Sequence, residues 1–364
     1  MPSPVLRIGP DCRCNMRFGQ SDEDAKSRNR GVEVVIKFII RRLLLMIPVI
    51  LGVLIVVFTL NYFTPGDPVL GILGNDATDE QYAALEKELG LDKPYIVQLF
   101  NYLKGVVTEF NLGTSFQTKR SVSKDILQRF PTTLKLGLMS VALTLILGLP
   151  FGIIAATKQY SRMDYGVTFT SLFFASVPGF WLALMLIILF ALNLRLVPAT
   201  GLGNWKGYIL PVVAMGLGPV AMICRMTRSS MLEVIRQDYI RTARAKGLSE
   251  GTVIRRHALK NSLIPVVTVV GFQLGIIFGG SAIIETIFTI PGIGTLMLAG
   301  INQRDYPVVQ GCVLFISTAI CVMNLLVDIA YGFIDPRIMA RYTVGSSRKK
   351  TEKILALKSA EEDA

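Results

Sequence analysis

Six long apolar blocks are the feature that most constrains how this chain can fold. A helix needs about 20 mostly apolar residues to cross a hydrocarbon layer roughly 30 Å thick, and each block reaches or approaches that length. The blocks are Leu43–Phe63, Leu136–Ala156, Val167–Leu192, Tyr208–Cys224, Leu263–Ile284 and Val308–Ala330. The fourth is short and is interrupted by Gly216, Gly218 and Pro219, yet an odd number of spans would place similar basic loops on opposite sides. The sequence therefore predicts an all-α integral membrane protein with six transmembrane helices.

The composition argues against a soluble protein. Hydrophobic residues make up 51% of the 364 residues and charged residues only 18%, whereas soluble domains carry about 25% charge. Soluble helices are amphipathic, but these blocks are apolar on all sides. The first block is also too long for the apolar region of a signal peptide, and it lacks a small-residue cleavage site.

The lysine and arginine residues predict the orientation in the membrane. With the N-terminus placed in the cytoplasm, 27 of the 38 basic residues fall on the inner side and ten on the outer side. The two short outer loops give the cleanest test, and they hold three basic residues between them. Both termini are therefore predicted to be cytoplasmic.

The spans divide the chain into parts with different surroundings. In chain order these are a cytoplasmic tail (1–36), the first transmembrane helix (37–63), an extracytoplasmic segment (64–133), a five-helix transmembrane core (134–335) that includes a cytoplasmic loop (225–262), and a C-terminal cytoplasmic tail (336–364). The chain before Lys37 is polar and has no helical pattern, so we predict that it is disordered or lies upstream of the native start.

The extracytoplasmic segment predicts two short amphipathic helices. A turn cluster at 64–68, Thr-Pro-Gly-Asp-Pro, ends the first span. Apolar side chains then line one face of a helix at Asp79–Leu91 and of another that begins at Pro94. The segment is too small for a separate enzyme. Two roles stay open for it, covering the membrane domain or docking an external partner.

The cytoplasmic loop 225–262 is basic and has a helical pattern. Ser230 and Glu233 fit an S-x-x-E capping box, and apolar residues then follow at helical spacing up to Ala243. Gly247 is the residue type that most readily adopts the left-handed conformation after a helix. Ser249 can begin a second short helix. The loop therefore predicts two short helices joined by a sharp glycine turn.

The apolar face of these two helices needs a surface to pack against. It can lie on the protein's own spans or on lipid headgroups, which basic residues favour. It can also insert into a groove of a cytoplasmic partner. The physical arguments alone leave both possibilities open.

The loop also carries a motif with a known counterpart. Residues 238–248 are Asp-Tyr-Ile-Arg-Thr-Ala-Arg-Ala-Lys-Gly-Leu, and residues 256–265 are Arg-His-Ala-Leu-Lys-Asn-Ser-Leu-Ile-Pro. This combination resembles the coupling loop of ABC importer permeases, in particular the B-type transmembrane subunit of the dipeptide/oligopeptide branch. Further matching segments are Pro65–Pro68, Leu112–Ser115, Ser176–Trp181, Glu285–Phe288, Pro291–Gly294 and Asp335–Arg337. The resemblance covers about residues 37–340, although 241–243 are Arg-Thr-Ala where other importers have E-A-A.

The resemblance implies a type I importer permease fold in the bacterial cell membrane and a division of labour between subunits. Two related permeases form the path, two cytoplasmic ATPases bind ATP, and an external binding protein delivers the solute. Peptide is the expected cargo, with nickel, glutathione or sugar as alternatives in the same family. The loop would contact an ATPase through residues of its matched motif, namely Asp238, Tyr239, Arg241, Ala243, Lys246, Gly247, Leu248, Arg256 and His257.

Glycines spaced four residues apart predict close helix contacts, because small residues allow helices to approach each other in lipid. The second span contains Gly148 and Gly152, and the fifth contains Gly271, Gly275 and Gly279. The helix that each pair contacts can belong to this chain or to a second permease.

Few polar side chains are available to line a path through the membrane. Ionisable residues are nearly absent from the spans, which disfavours a proton-driven carrier. Gln273, Glu285 and Asn324 are the candidates, although each can instead serve a helix contact, and Asp328 is expected to pair with a neighbouring base. The apolar stretch Pro291–Ile301 predicts a short re-entrant or interfacial element at the outer mouth.

Catalytic and metal-binding patterns are missing from the sequence. It contains neither the G-x-x-x-x-G-K-[ST] loop that binds ATP nor the zinc motif H-E-x-x-H. A serine nucleophile would need a base within about 3 Å, yet Ser281 and the only histidine, His257, should lie toward opposite sides of the membrane. We therefore predict no enzyme activity, cofactor, metal site or nucleic-acid partner, with the energy supplied by partner ATPases.

Overall fold

The computed structural model describes residues 12–74, 77–109 and 111–334, and this part of the chain is helical and without strands. In chain order the helices are α1 (Cys12–Phe63), α2 (Pro68–Leu73), α3 (Asp79–Leu89), α4 (Tyr95–Glu109), α5 (Val122–Thr157), α6 (Arg162–Ser176), α7 (Gly179–Leu186), α8 (Ile209–Ile235), α9 (Asp238–Ala245), α10 (Glu250–Thr252), α11 (Leu259–Ile287), α12 (Ile293–Asn302) and α13 (Tyr306–Ile334). A π-helical segment at Ile187–Asn193 continues α7, a second at Val253–Ala258 joins α10 to α11, and a 3₁₀ turn at Trp205–Tyr208 precedes α8.

Five helices in the described part of the chain are long and apolar enough to cross a membrane: α1, α5, α8, α11 together with α10, and α13. A bent pair, α6 followed by α7 and its π-helical extension, is apolar enough to be the sixth span. The fold class predicted from the apolar blocks, an all-α membrane protein with six spans, is confirmed when this pair is counted as one.

The third apolar block is not the continuous helix that its composition predicts. Its two halves meet at an angle of 99° between Ser176 and Gly179. Val177 and Pro178 are both extended there, with ψ angles of 123° and 132°. Proline disfavours helical geometry in the residue before it and has no N–H to donate. The dipeptide therefore ends α6 and starts α7 in a new direction.

The fourth block, predicted to be the weakest span, is instead one unbroken helix of 27 residues. Pro219 removes one backbone hydrogen bond from α8 but does not end the helix. Beside it, the Thr144 hydroxyl of α5 donates to the Gly216 carbonyl at 3.3 Å. This hydrogen bond connects α8 to α5 about one turn before the proline.

The described residues group into two compact units, one formed by those up to Met46 and from Asp328 onward, the other by Ile47–Val327. In the first unit, Arg42 pairs with Asp328 at 3.1 Å, which confirms that Asp328 has a basic partner. Helix α1 begins at Cys12, which is N-terminal to the first span predicted at 37–63. The predicted C-terminal tail lies outside the described residues.

The glycines of the second span lie directly against α8. A Cβ atom added to Gly148 would be 2.9 Å from Ile223 Cγ2, and one added to Gly152 would be 2.7 Å from the Cys224 carbonyl oxygen. Contacts this short leave room only for hydrogen. α5 and α8 therefore pack together within the chain.

The glycines of the fifth span differ from one another. A Cβ at Gly271 would lie 2.3 Å from Val327 Cγ1 of α13, and one at Gly275 would lie 3.5 Å from Ile320 Cγ2. No described atom lies within 4 Å of the corresponding position at Gly279. The inner part of α11 thus contacts this chain's own last helix, while the surface around Gly279 is open.

The extracytoplasmic segment folds against the end of the first span. Both predicted helices are present as α3 and α4, and α3 begins with a capping box between Thr78 and Gln81. The Tyr95 hydroxyl of α4 lies 2.7 Å from the Thr59 hydroxyl of α1. The Tyr82 hydroxyl of α3 donates to Asp67 at 2.7 Å, and this hydrogen bond raises the pKa of Tyr82 to about 12. These contacts favour a covering role for the segment.

Candidate coupling loop

The first helix of the cytoplasmic loop does not begin at Ser230 as the capping box predicts. Helix α8 continues from the membrane to Ile235. The Ser230 hydroxyl donates to the Ser262 carbonyl at 2.8 Å, so it links α8 to α11 instead of capping a helix. The new helix, α9, starts only at Asp238, after a turn at Arg236 and Gln237.

Helix α9 packs on the membrane domain through its apolar face. Ile240 and Ala243 are buried, and they pack in a cluster with Met231 of α8, Val253 and Ala258. Residues three apart lie on the same face of a helix. These two side chains therefore hold the whole of α9, which is only eight residues long, against the cluster. The apolar face of α9 therefore packs on helices of the same chain.

The opposite face of α9 is polar and exposed. Asp238 and Arg241 are exposed and lie 3.7 Å apart as an i,i+3 ion pair. The partly exposed Tyr239 accepts a hydrogen bond at its hydroxyl from Asn261 Nδ2 at 2.8 Å, which connects the start of α9 to α11. Lys246 is also exposed. The outward surface of α9 therefore presents charged side chains away from the membrane domain.

The turn after α9 has the geometry that the sequence predicts at Gly247. This glycine has φ +76°, in the left-handed region, and its N–H donates to the Arg244 carbonyl at 2.9 Å. Across the turn, the Arg244 guanidinium forms two hydrogen bonds to Glu250, at 2.6 and 3.1 Å, which raise the pKa of Arg244. Leu248 is exposed at the tip of the turn.

The second helix of the loop is continuous with the fifth span. Ser249 precedes α10 as predicted, and the backbone then stays helical through the π segment into α11. Arg256 is exposed and His257 is partly buried within that segment. The loop is thus attached to the membrane domain by two long helices, α8 on one side and α11 on the other.

We expect Gly247→Ala to loosen the turn. A Cβ at a positive φ costs roughly 1 kcal/mol or more, and no described atom lies within 4 Å of it, so backbone strain is the only cost. Hydrogen exchange of amides 244–249 in detergent should become about fivefold faster. Gly251→Ala is the matched control, since Gly251 is equally open but has no positive φ. Equal exchange rates in both variants would contradict the conclusion that the turn depends on glycine at position 247.

A partly buried ion pair near the loop is not evident from the sequence. Arg228 of α8 donates from Nε and Nη2 to the two carboxylate oxygens of Asp164 in α6, at 2.7 and 2.8 Å. Asp164 is buried and also accepts the backbone N–H of Tyr160 at 3.0 Å. The residues are 64 positions apart, so no local pattern could reveal the pair. It fixes α6 to the helix that leads into the loop.

The three polar candidates for a path lie in different surroundings. Gln273 is partly buried, borders a cavity of about 250 Å³ and donates to Met222 Sδ at 3.4 Å. Asn324 is exposed on α13. Glu285 is fully buried among hydrogen-bond donors of its own chain, so its geometry favours a helix contact. Gln273 and Asn324 stay candidates.

The apolar stretch Pro291–Ile301 forms α12, which at ten residues is too short to cross a membrane. Ile293 and Leu296 are buried in a cluster with Val122, Val308 and Cys312. This short helix occupies the place where the sequence predicts a re-entrant or interfacial element. It rests on α5 and α13.

The described residues contain no group of three or more His, Cys, Asp or Glu side chains able to hold a metal ion. Ser281 and His257 are 24 residues apart along one helical path, which corresponds to about 36 Å. The Ser281 hydroxyl donates to Glu285 at 3.0 Å. These positions are incompatible with a serine–histidine pair.

Comparison with known families explains this arrangement. Residues 148–340 match the binding-protein-dependent transport system inner membrane component, and residues 35–137 match the N-terminal part of the membrane component of such systems. The chain belongs to this permease family. The permease is accordingly a multi-pass protein of the bacterial inner membrane, and the family consists of transport subunits.

Relatives in several bacteria are similar over nearly their whole length. The dipeptide transport system permease protein DppB of Alkalihalophilus pseudofirmus is 43% identical over 332 residues, which are 84% of this chain and 99% of the relative. DppB of Escherichia coli K12 is 40% identical over 336 residues, 84% of this chain and 99% of its own. The di/tripeptide transport system permease protein DppB of Pseudomonas aeruginosa is 42% identical over 84% of this chain and 99% of the relative.

A solved structure shares the fold. An inward-facing form of the MetNI methionine ABC transporter superposes with a TM-score of 0.50 at 18% identity, covering 58% of this chain and 96% of the other. At that identity the likeness concerns the fold alone. The permease therefore has the fold of an ABC importer transmembrane subunit, as the resemblance of its coupling loop predicts.

Proposed function

We propose that this permease forms half of a peptide translocation path and that α9, Gly247 and α10 bind a cytoplasmic ATPase. The observation that carries the proposal is the two-sided character of α9. Ile240 and Ala243 fix one face to the permease, while the charged residues Asp238 and Arg241 are exposed on the other. A helix seated in this way can receive a partner without leaving the membrane domain.

The attachment of the loop supports coupling to ATP. The sequence lacks a phosphate-binding loop, so the hydrolysing site is expected on partner subunits. A force applied to α9 or α10 would act on α8 and α11 together, because both helices run from the loop into the membrane without a flexible linker. Rigid-body movement of helices is a common basis of alternating access.

The proposed partners are a second homologous permease, two ATPases, an external binding protein and lipid. An apolar surface on α11 supports the second permease. Phe272, Ile276 and Ile283 are exposed around Gly279, at which no described atom approaches. Small residues flanked by larger apolar ones are typical of helix interfaces in membranes.

Peptide is the proposed cargo because the similar proteins are named as peptide permeases over nearly their full length. Nickel, glutathione and sugar are the alternatives, and the external binding protein is expected to select among them.

Transport by the assembled complex tests this function. In membrane vesicles with the cognate subunits, uptake of a labelled dipeptide should stop with vanadate and continue with an uncoupler, since ATP is the energy source. Uptake that stops with the uncoupler and survives vanadate would identify a secondary carrier. If unlabelled nickel, glutathione or sugar reduces this uptake and unlabelled dipeptide does not, the competing solute replaces peptide as the proposed cargo.

A further inference from the structure

Glu285 is a carboxylate enclosed at the end of α11 that is remote from the loop, with 0% of its surface exposed. Its Oε1 accepts hydrogen bonds from the hydroxyls of Thr133 at 2.7 Å and Ser281 at 3.0 Å, and its Oε2 accepts the backbone N–H of Thr295 at 3.0 Å. No Lys or Arg pairs with it among the described residues. These hydrogen bonds join α11 to α5 and α12.

The turn into α12 is shaped around this carboxylate. A Cβ at Gly292 would lie 2.2 Å from Glu285 Cδ, so only glycine fits at that position. Thr133 accepts the N–H of Ile293 at 3.0 Å while donating to Glu285. The N–H groups of Ile293 and Thr295 in the first turn of α12, which have no partner within the helix, therefore donate to Thr133 and Glu285. A negative charge is favourable at this end of a helix.

Glu285 also lies at the far end of the helical path that begins in the loop. The backbone is helical from Glu250 through the π segment to Ile287. A displacement of α10 therefore reaches the carboxylate through a continuous helix. The hydrogen bonds of Glu285 then connect that helix to a short helix whose outer part, including Ile301, is exposed.

We propose that Glu285 is a positioning residue that couples movement of α11 to α12, so that the state of the loop controls the outer mouth of the path. This inference rests on the function proposed above. Glutamine in its place can accept the Thr295 N–H only while its NH₂ group faces the two hydroxyls, which must then accept instead of donate; turned the other way, its NH₂ group faces the Thr295 N–H. Glu285→Gln therefore keeps the shape of the side chain and loses part of the connection.

The test uses the complete transporter in proteoliposomes. For Glu285→Gln we expect peptide uptake to fall at least tenfold while ATP hydrolysis stays within twofold of the wild type. Ile301→Cys provides a second measurement, because that side chain is 50% exposed on α12. Its reaction with a membrane-impermeant maleimide should change on vanadate trapping in the wild type and lose this dependence in Glu285→Gln.

Two further variants separate positioning from simple stability. Gly292→Ala retains the carboxylate but displaces it, and we expect the same loss of uptake with hydrolysis retained. Thr286→Val is the matched control, since the exposed Thr286 hydroxyl donates only within its own helix, to the Ala282 carbonyl at 2.8 Å, and the variant should behave as wild type.

The inference is overturned if Glu285→Gln keeps both uptake and nucleotide-dependent labelling. It is also overturned if hydrolysis, uptake and thermal stability all fall together, because that result indicates a purely structural role. A wild-type complex without ATP-dependent uptake would reject the proposed function itself, and this inference with it.

Discussion

Replacing Ala243 with aspartate is expected to abolish ATP-coupled uptake while leaving the chain inserted in the membrane. Ala243 is buried against Met231, Val253 and Ala258, and none of these can pair with a carboxylate. An unpaired buried charge costs about 3 kcal/mol or more. Helix α9 has only eight residues and cannot persist alone, so it should separate from α8.

Hydrogen exchange and membrane extraction test this expectation. The amides of α9 should exchange at least tenfold faster in Ala243→Asp, and the chain should still be recovered in the membrane fraction, because its spans are unchanged. Ala245→Asp is the control for the exchange measurement: it places the same charge on the same helix at an exposed position. Normal uptake by Ala243→Asp would show that a seated α9 is not required.

The second large effect is expected from Asp164→Asn. The substitution keeps the shape of the side chain but removes the charge that receives two hydrogen bonds from Arg228. Hydrogen bonds to charged groups contribute roughly 1.5 to 3 kcal/mol. Because Arg228 keeps some solvent contact, with 29% of its side chain exposed, we expect a loss of about 2 kcal/mol in the free energy of unfolding.

Denaturant unfolding in detergent measures this loss, and a double-mutant cycle isolates it. Asp164→Asn combined with Arg228→Gln should be less destabilised than the sum of the single variants, because the pair is broken only once. Asp238→Asn serves as the control, since its ion pair with Arg241 is fully solvated and should contribute nothing measurable. Strict additivity would mean that the Asp164–Arg228 contact does not stabilise the fold.

The sequence predicts the positions of the spans well, because the length of an apolar stretch is a local property. It predicts the course of a helix poorly where one residue determines whether the helix continues or ends. The third block has continuous hydropathy, and only Pro178 indicates the break. In the fourth block, Gly216 and Pro219 suggest interruption. Gly216 instead lies in close contact with α5, where an added Cβ would be 3.1 Å from Leu143 Cδ2. Small residues at a helix interface and residues that end a helix cannot be distinguished without the partner.

The coupling loop also has features that the sequence predicts and features that it does not. Gly247 is predictable because a left-handed turn favours glycine whatever surrounds it. The capping box at Ser230 is a valid local pattern that a tertiary contact overrides, since the hydroxyl finds Ser262 across the loop. The Glu285 network is beyond sequence analysis, because its donors come from positions as far apart as Thr133 and Thr295.

The corner between α6 and α7 has a consequence for the surrounding bilayer. Each arm has 15 residues, about 22 Å, which is shorter than the hydrocarbon layer. Peptide groups at the corner lack helical partners, and acyl chains cannot solvate them. Val177 and Gly179 border the same cavity as Ser140 and Gln273, so we expect water molecules to hydrate this bend and the lipid leaflet beside it to be locally thin.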